Sequence, residues 1–153
     1  MARYSAGFSV AGVNTANTQT ANLNNTSTAQ RLRVMQVAVG VAVAPTTAPQ
    51  FYLTRATARG TQTATLAGQP FDSSDTAATG TLDTTWSAAP TFSTTNKFVN
   101  GGLATTAGGW WIWDFRDSPI IIPATAGAGL TLVNANASGA TTGTFTGYFT
   151  WEE

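Results

Sequence analysis

From Arg31 to Val43 the chain alternates two kinds of side chain. The odd positions read Arg31, Arg33, Met35, Val37, Val39, Val41 and Val43, and the even ones Leu32, Val34, Gln36, Ala38, Gly40 and Ala42. A large apolar set opposite a small one predicts a long strand pressed against a core on one side. Pro45 to Pro49 ends it, because proline cannot donate to a ladder. A second strand is expected at Gln50–Ala58, with Phe51, Leu53 and Arg55 on one face, and a third over 61–66 after Gly60. Asp72-Ser73-Ser74-Asp75-Thr76, followed by Gly80, is turn chemistry. Further strands are expected over 84–92, 97–103, 110–115, 120–122, 129–134 and 141–152. In the last, Phe145, Phe149 and Trp151 share one side with Gly143 and Gly147, and Thr144, Thr146, Tyr148 and Thr150 share the other. Aromatic and threonine alternation of this kind fits a half-buried antiparallel strand.

No stretch carries an amphipathic helical period, and the abundant Thr, Gly, Asn and Val are mediocre or poor helix formers. Short strands separated by Gly, Pro and Asn turns predict an all-β, antiparallel β-sandwich, jelly-roll-like in arrangement. Residues 13–29 differ in kind: Asn14, Asn17, Asn22, Asn24 and Asn25 alternate with threonines, and only Val13 and Leu23 are sizeable apolar anchors. The expected organisation is an N-terminal extended segment, 1–28, and one sandwich domain, 29–153. The segment is either an arm reaching a neighbour or a first strand with a loop.

Composition sharpens this. Only 9% of the residues are charged while 42% are hydrophobic, against about 25% charged in ordinary soluble domains. Seven Lys plus Arg balance seven Asp plus Glu. There is no basic stripe for phosphate, so direct nucleic-acid binding is not expected. A neutral, charge-poor surface favours association and suggests a chain built for contact with other subunits. The start, Met1-Ala2-Arg3-Tyr4-Ser5, lacks the apolar core of a secretory signal, and the longest apolar run, Val37 to Ala44, is short of the roughly 20 residues a membrane helix needs. Synthesis in a cytoplasm and no membrane partner are the expectations.

The chain has neither His nor Cys. Ser-His-Asp and Cys-His nucleophile systems are therefore excluded, and zinc loses its two preferred ligands. Asp114 and Asp117 are the best-placed carboxylate pair for acid–base work, but they flank Arg116, which reads as a local ion pair. Asp72 to Asp75 offers oxygen ligands for calcium but lacks the glycine and closing glutamate of a calcium loop, and a capped turn explains it at lower cost. No catalytic residue, cofactor or metal is expected. Asn24-Asn25-Thr26, Asn25-Thr26-Ser27 and Asn136-Ala137-Ser138 match the glycosylation pattern, as chance supplies in so Asn- and Thr-rich a chain. The densest aromatic cluster is Gly108-Gly109-Trp110-Trp111-Ile112-Trp113-Asp114-Phe115. Alternation puts Trp111, Trp113 and Phe115 on one face and Trp110 and Ile112 on the other. One face then fills the core while the other packs at a subunit interface; alternatively an exposed Trp row stacks on sugar rings.

The order of these features resembles that of small virion proteins of tailed bacteriophages. Its carriers are the long strand near Leu32–Val43, the element Arg55-Ala56-Thr57-Ala58-Arg59-Gly60-Thr61, and the turn Asp72-Ser73-Ser74-Asp75-Thr76-Ala77-Ala78. The stretch Pro119 to Leu130 and the acid-ended strand Phe149-Thr150-Trp151-Glu152-Glu153 complete it. The likeness runs from about residue 30 to the end, and residues 5–28 fall outside it. It implies a jelly-roll-like capsid decoration (cement) protein, commonly a homotrimer, on the virion surface and bound to the major capsid protein lattice. The alternative is a sugar-binding β-sandwich module of a phage tail or fibre. Candidate interface residues are Arg3, Tyr4, Asn14, Asn17, Asn22, Asn24, Trp110 and Trp111, with the Asn/Thr-rich segment adding a strand to a neighbour.

Overall fold

The computed structural model describes residues 1–12, 15–136 and 143–153, which form thirteen strands and no helix. They are β1 (Arg3–Ala11), β2 (Thr18–Asn25), β3 (Leu32–Val43), β4 (Gln50–Ala58), β5 (Thr61–Ala67), β6 (Gln69–Pro70) and β7 (Gly80–Ala88). After these come β8 (Thr91–Phe92), β9 (Val99–Gly102), β10 (Trp110–Asp114), β11 (Ile120–Ile122), β12 (Gly129–Asn134) and β13 (Thr144–Glu152). One sheet runs β10-β3-β13-β1-β6 with β11 also on β3; the other runs β5-β7-β2-β12-β4-β8 with β9 also on β4. Every pairing is antiparallel.

The pairing has a simple logic. β1 pairs with β13, β2 with β12, β3 with β10 and β11, and β4 with β8 and β9. Successive pairs fall alternately in the two sheets. This is one long antiparallel ribbon wrapped into a double-sheet sandwich, the jelly roll. The segment between β4 and β8 stands outside the ribbon: β7 joins the free edge of β2, β5 extends it, and β6 adds to β1.

Period-2 alternation places the strands. Along β13, Phe145, Phe149 and Trp151 are buried while Thr144, Thr146, Tyr148 and Thr150 are partly exposed, as their sequence pattern requires. β4, β11 and β12 span the residues their patterns predict. The strand expected over 84–92 instead starts at Gly80 and stops at Ala88, because Pro90 interrupts it before β8. Aromatic pairs fill the core: Tyr4 stacks on Trp151 with centroids 6.0 Å apart, and Phe51 meets Phe145 edge-on at 5.1 Å.

Residues 1–28 are not an arm beside a 29–153 domain, and this corrects the expectation from sequence. β1 pairs along its whole length with β13, from Arg3↔Glu152 to Ala11↔Thr144, and β2 lies between β7 and β12. Tyr4, Ala6 and Phe8 alternate into the core, and Ala21 and Leu23 are fully buried. The asparagines of β2 are buried too, because they satisfy one another. Asn22 Nδ2 donates to Asn24 Oδ1 at 2.8 Å, Thr131 Oγ1 donates to Asn22 Oδ1 at 2.9 Å, and Asn24 Nδ2 donates to Asp83. Low hydrophobicity marks a loop only where amides lack internal partners. Gly129 makes the room: a Cβ there would stand 2.8 Å from Asn22 Oδ1 and 3.1 Å from Asn24 Oδ1.

Candidate functional site, an exposed sheet face

The outer faces of the two sheets differ. On the β2–β12–β4 side, the outward residues Tyr52, Thr54, Thr131, Val133, Asn22, Asn24 and Asp83 are nonetheless buried, because the chain covers them itself. Arg59 grips Asp83 with Nε and Nη2, each at 2.8 Å, and Thr65 Oγ1 donates to the same carboxylate at 2.7 Å. That bond to Asp83 raises the Arg59 pKa, so the guanidinium stays charged. Across the sheet, Thr54 Oγ1 donates to the Asn96 carbonyl at 2.7 Å and the Lys97 ammonium sits 4.3 Å from the Tyr52 ring centre.

The opposite face has no such cover over its edge. Strand register aligns Trp110 with Gly40, Thr146 and Ser9, and Ile112 with Ala38, Tyr148 and Gly7. Large side chains on β10 thus stand beside a low strip of glycine and alanine. Trp110 is 50% exposed and Ile112 52%. The Trp110 indole covers Gly40, where a Cβ would lie 2.7 Å from two ring atoms. Tyr148 donates from its hydroxyl to Gln36 Oε1 at 2.7 Å, which spans β13 and β3. At the rim Asp114 is bound by Arg116, whose Nε donates at 2.9 and 2.8 Å and whose backbone N–H donates at 3.1 Å. These bonds hold the Asp114 carboxyl below the usual carboxylate range and raise Arg116 correspondingly. Asp114 at the end of β10 and Arg116 just beyond it therefore neutralise each other. Along its β10 edge the face thus presents the half-exposed apolar side chains of Trp110 and Ile112 beside small and hydroxyl-bearing residues, a surface suited to packing against protein.

Of the eight candidate residues, the structure brings few to the surface together. Tyr4 is buried and donates to the Thr76 carbonyl at 3.0 Å. Asn22 and Asn24 are buried as described, so none of these three meets a partner. Arg3 pairs with Glu152 at 2.9 Å, and Glu152 also meets Arg33 at 3.2 Å. Asn17 is exposed, takes a left-handed φ of 54°, and accepts a hydrogen bond from the Tyr52 hydroxyl at 3.1 Å. Asn14 lies outside the described residues. Trp110 and Trp111 are exposed, but on different sides of β10. Trp111 turns inward at the open edge of the sandwich and covers Gly101 of β9, and Trp113 continues that side into the core. No planar Trp row forms. Ile112 and Tyr148 belong to the face and were absent from the candidates, although the same alternation places both of them outward.

Asp72 and Glu153 are held within the fold. Asp72 Oδ1 accepts from Ser74 N at 2.9 Å and Ser74 Oγ at 2.7 Å, a capped turn that lowers the Asp72 pKa. Glu153 accepts from Thr79 N, Thr79 Oγ1, Gly80 N and the Trp151 indole, tying the last strand to the start of β7. No family model matches this chain, and neither a curated protein nor a solved structure matches it.

Proposed function

We propose that the protein is a structural virion subunit of a tailed bacteriophage, decorating and stabilising the capsid surface through protein–protein contacts. The observation that carries this reading is the asymmetry between the outer faces. One is sealed by the chain's own loops and a buried ion pair, while the other leaves Trp110 and Ile112 half-exposed beside a strip of small residues. Interface cores are depleted in charge and enriched in aromatics, which describes this face. The charge-poor, net-neutral composition supports the same reading. Closed symmetry covers such a face most simply, and a homotrimer is the proposed form, in line with the resemblance to decoration proteins. Trp110 and Trp111 are both exposed, as a sugar-stacking surface would need, but they point to opposite sides of β10 and cannot line one platform.

The test combines the Trp110→Ser and Ile112→Ser substitutions. The wild-type chain should sediment as a closed oligomer at micromolar concentration and bind virions in a copy number matching capsid subunits. The doubly substituted chain should remain folded, sediment as a monomer and lose virion binding. A wild-type monomer absent from virions would refute the reading.

A further inference from the structure

Most of the basic side chains are engaged by a carboxylate: Arg3 and Arg33 share Glu152, Arg59 holds Asp83 and Arg116 holds Asp114. Among the described residues Arg31, Arg55 and Lys97 meet none, and the exposed Arg31 and Arg55 border one cleft of about 570 Å³. Ile121 of β11, Pro123 and Ala128 give this cleft apolar walls, Thr57 adds a hydroxyl, and no Asp or Glu lines it. Arg55 is fixed at the rim: Nη1 donates to the Ile121 carbonyl at 2.7 Å, and the guanidinium lies 5.1 Å from the Phe98 ring centre. A guanidinium has five N–H donors, so an anchored one still presents a fork that fits a carboxylate.

The matching acids lie elsewhere on the same chain. Asp72 and Asp75 form no ion pair among the described residues, and they sit in the turn that follows β6. Phe71 opens that turn and is 67% exposed. The turn is prebuilt, since the Ser74 N–H and hydroxyl donate to Asp72 Oδ1 and the Asp75 N–H donates to the Asp72 carbonyl at 3.0 Å. Arg3, whose carbonyl accepts from the Phe71 N–H, is already taken by Glu152. β6 and β11 stand on opposite sides of one sheet, with β1, β13 and β3 between them. At about 4.8 Å per strand, turn and cleft are roughly 20 Å apart, so a chain does not seat its own turn. Complementary patches on opposite edges of a subunit make a head-to-tail contact, which repeats from copy to copy and can close into a ring. We infer that residues 71–75 of one copy dock in the Arg31–Arg55 cleft of a second copy, with Asp72 and Asp75 meeting the two guanidiniums and Phe71 covering Ile121 and Pro123. The inference rests on the reading of the chain as a self-associating subunit and names the contact that joins one copy to the next.

The experiment reverses each half of the contact and then both, in the full chain. Asp72→Asn with Asp75→Lys keeps the oxygen that caps the turn and makes the turn basic, while Arg31→Glu with Arg55→Glu makes the cleft acidic. In sedimentation equilibrium each pair should raise the self-association Kd by at least about tenfold. The chain carrying all four substitutions should regain most of that loss, because the exchanged charges attract again. Circular dichroism melts establish that each variant is folded. Arg31→Gln, at a side chain with no hydrogen-bond partner among the described residues, should weaken association in the same direction where a reversed pair melts early. Association unmoved by either reversed pair, or a folded four-substituted chain that stays dissociated, overturns the inference and leaves the Trp110–Ile112 face to carry assembly. A wild-type monomer that still binds virions overturns the inference alone, whereas a monomer absent from virions overturns the underlying reading with it.

Discussion

Gly40 and Trp110 form one packing unit across β3 and β10: the indole occupies the space in which any side chain at position 40 would begin. Gly101 and Trp111 repeat the arrangement between β9 and β10, with a Cβ at Gly101 meeting indole atoms at 2.8 Å. Glycine thereby lets a bulky edge residue lie against the backbone of its neighbour. The sheet edge gains apolar cover, and the outer surface of each ring stays open to a partner.

The same contact at a buried ring should behave differently. Gly68 approaches Trp151, and a Cβ there would stand 2.5 Å from the ring of a side chain with no exposure. Gly40→Ala can be accommodated by swinging the exposed Trp110 outward, at a cost under about 1 kcal/mol. Gly68→Ala must displace a packed core residue and should cost about 1–3 kcal/mol. Urea denaturation of the two variants measures this. Equal losses would mean that Trp110 is as fixed as Trp151.

Asp83 has no exposure, and its carboxylate depends on Arg59, whose side chain is 23% exposed. Arg59→Met keeps much of the aliphatic cover and removes the cation. Breaking a buried pair from one side is far more costly than its net worth, so the loss should be about 3 kcal/mol. Asn24 and Thr65 still bond the carboxylate and should keep the variant folded at low denaturant. A loss below 1 kcal/mol in Arg59→Met would show that those neutral donors suffice.

Burial pushes the Tyr52 phenol above its ordinary pKa of about 10. A group whose folded pKa is raised holds its proton more tightly in the native state. Its contribution is therefore complete below about pH 10 and is lost as pH rises through the raised value. Stability should fall on that alkaline side, and Tyr52→Phe should flatten the fall. The Lys97 ammonium lies over the same ring, so Lys97→Gln is the control that separates loss of that contact from ionisation of the phenol. An alkaline slope unchanged in Tyr52→Phe would assign the whole effect to other groups.

Much of the sandwich is legible in the sequence because period-2 alternation is strong where strands are half-buried. β13 shows this with its Phe–Thr alternation, and β3 with its valines facing alanine and glycine. β1 carries the same pattern in Tyr4, Ala6 and Phe8, but the interposed Ser5 and Gly7 are small and dilute it. β2 is harder still, since its outward positions are asparagines whose burial depends on Asp83, Thr131 and the space at Gly129, all distant in sequence. Exposure of Trp110 and Ile112 follows from alternation, whereas the covering of the other sheet by Arg59 and by residues 93–98 is a tertiary fact with no local signal.

The placement of β1 and β2 makes the first 28 residues a test of the whole architecture. β1 closes the sheet between β13 and β6, and β2 holds β7 to β12. Deleting residues 1–28 removes Tyr4, Phe8, Ala21 and Leu23 from the core and strips Asn24 from Asp83. It also bares one side of β13 and of β12, and long unpaired edges invite aggregation. Truncation of Phe8 alone, as Phe8→Ala, should cost roughly 3–5 kcal/mol, so loss of both strands exceeds the 5–15 kcal/mol typical of a domain. The expected product is insoluble or shows no cooperative thermal transition, whereas removing only Met1 and Ala2, which precede β1, should leave the fold intact. A soluble 29–153 fragment with a native-like β spectrum and a sharp melt would overturn this assignment and restore residues 1–28 as a separable arm.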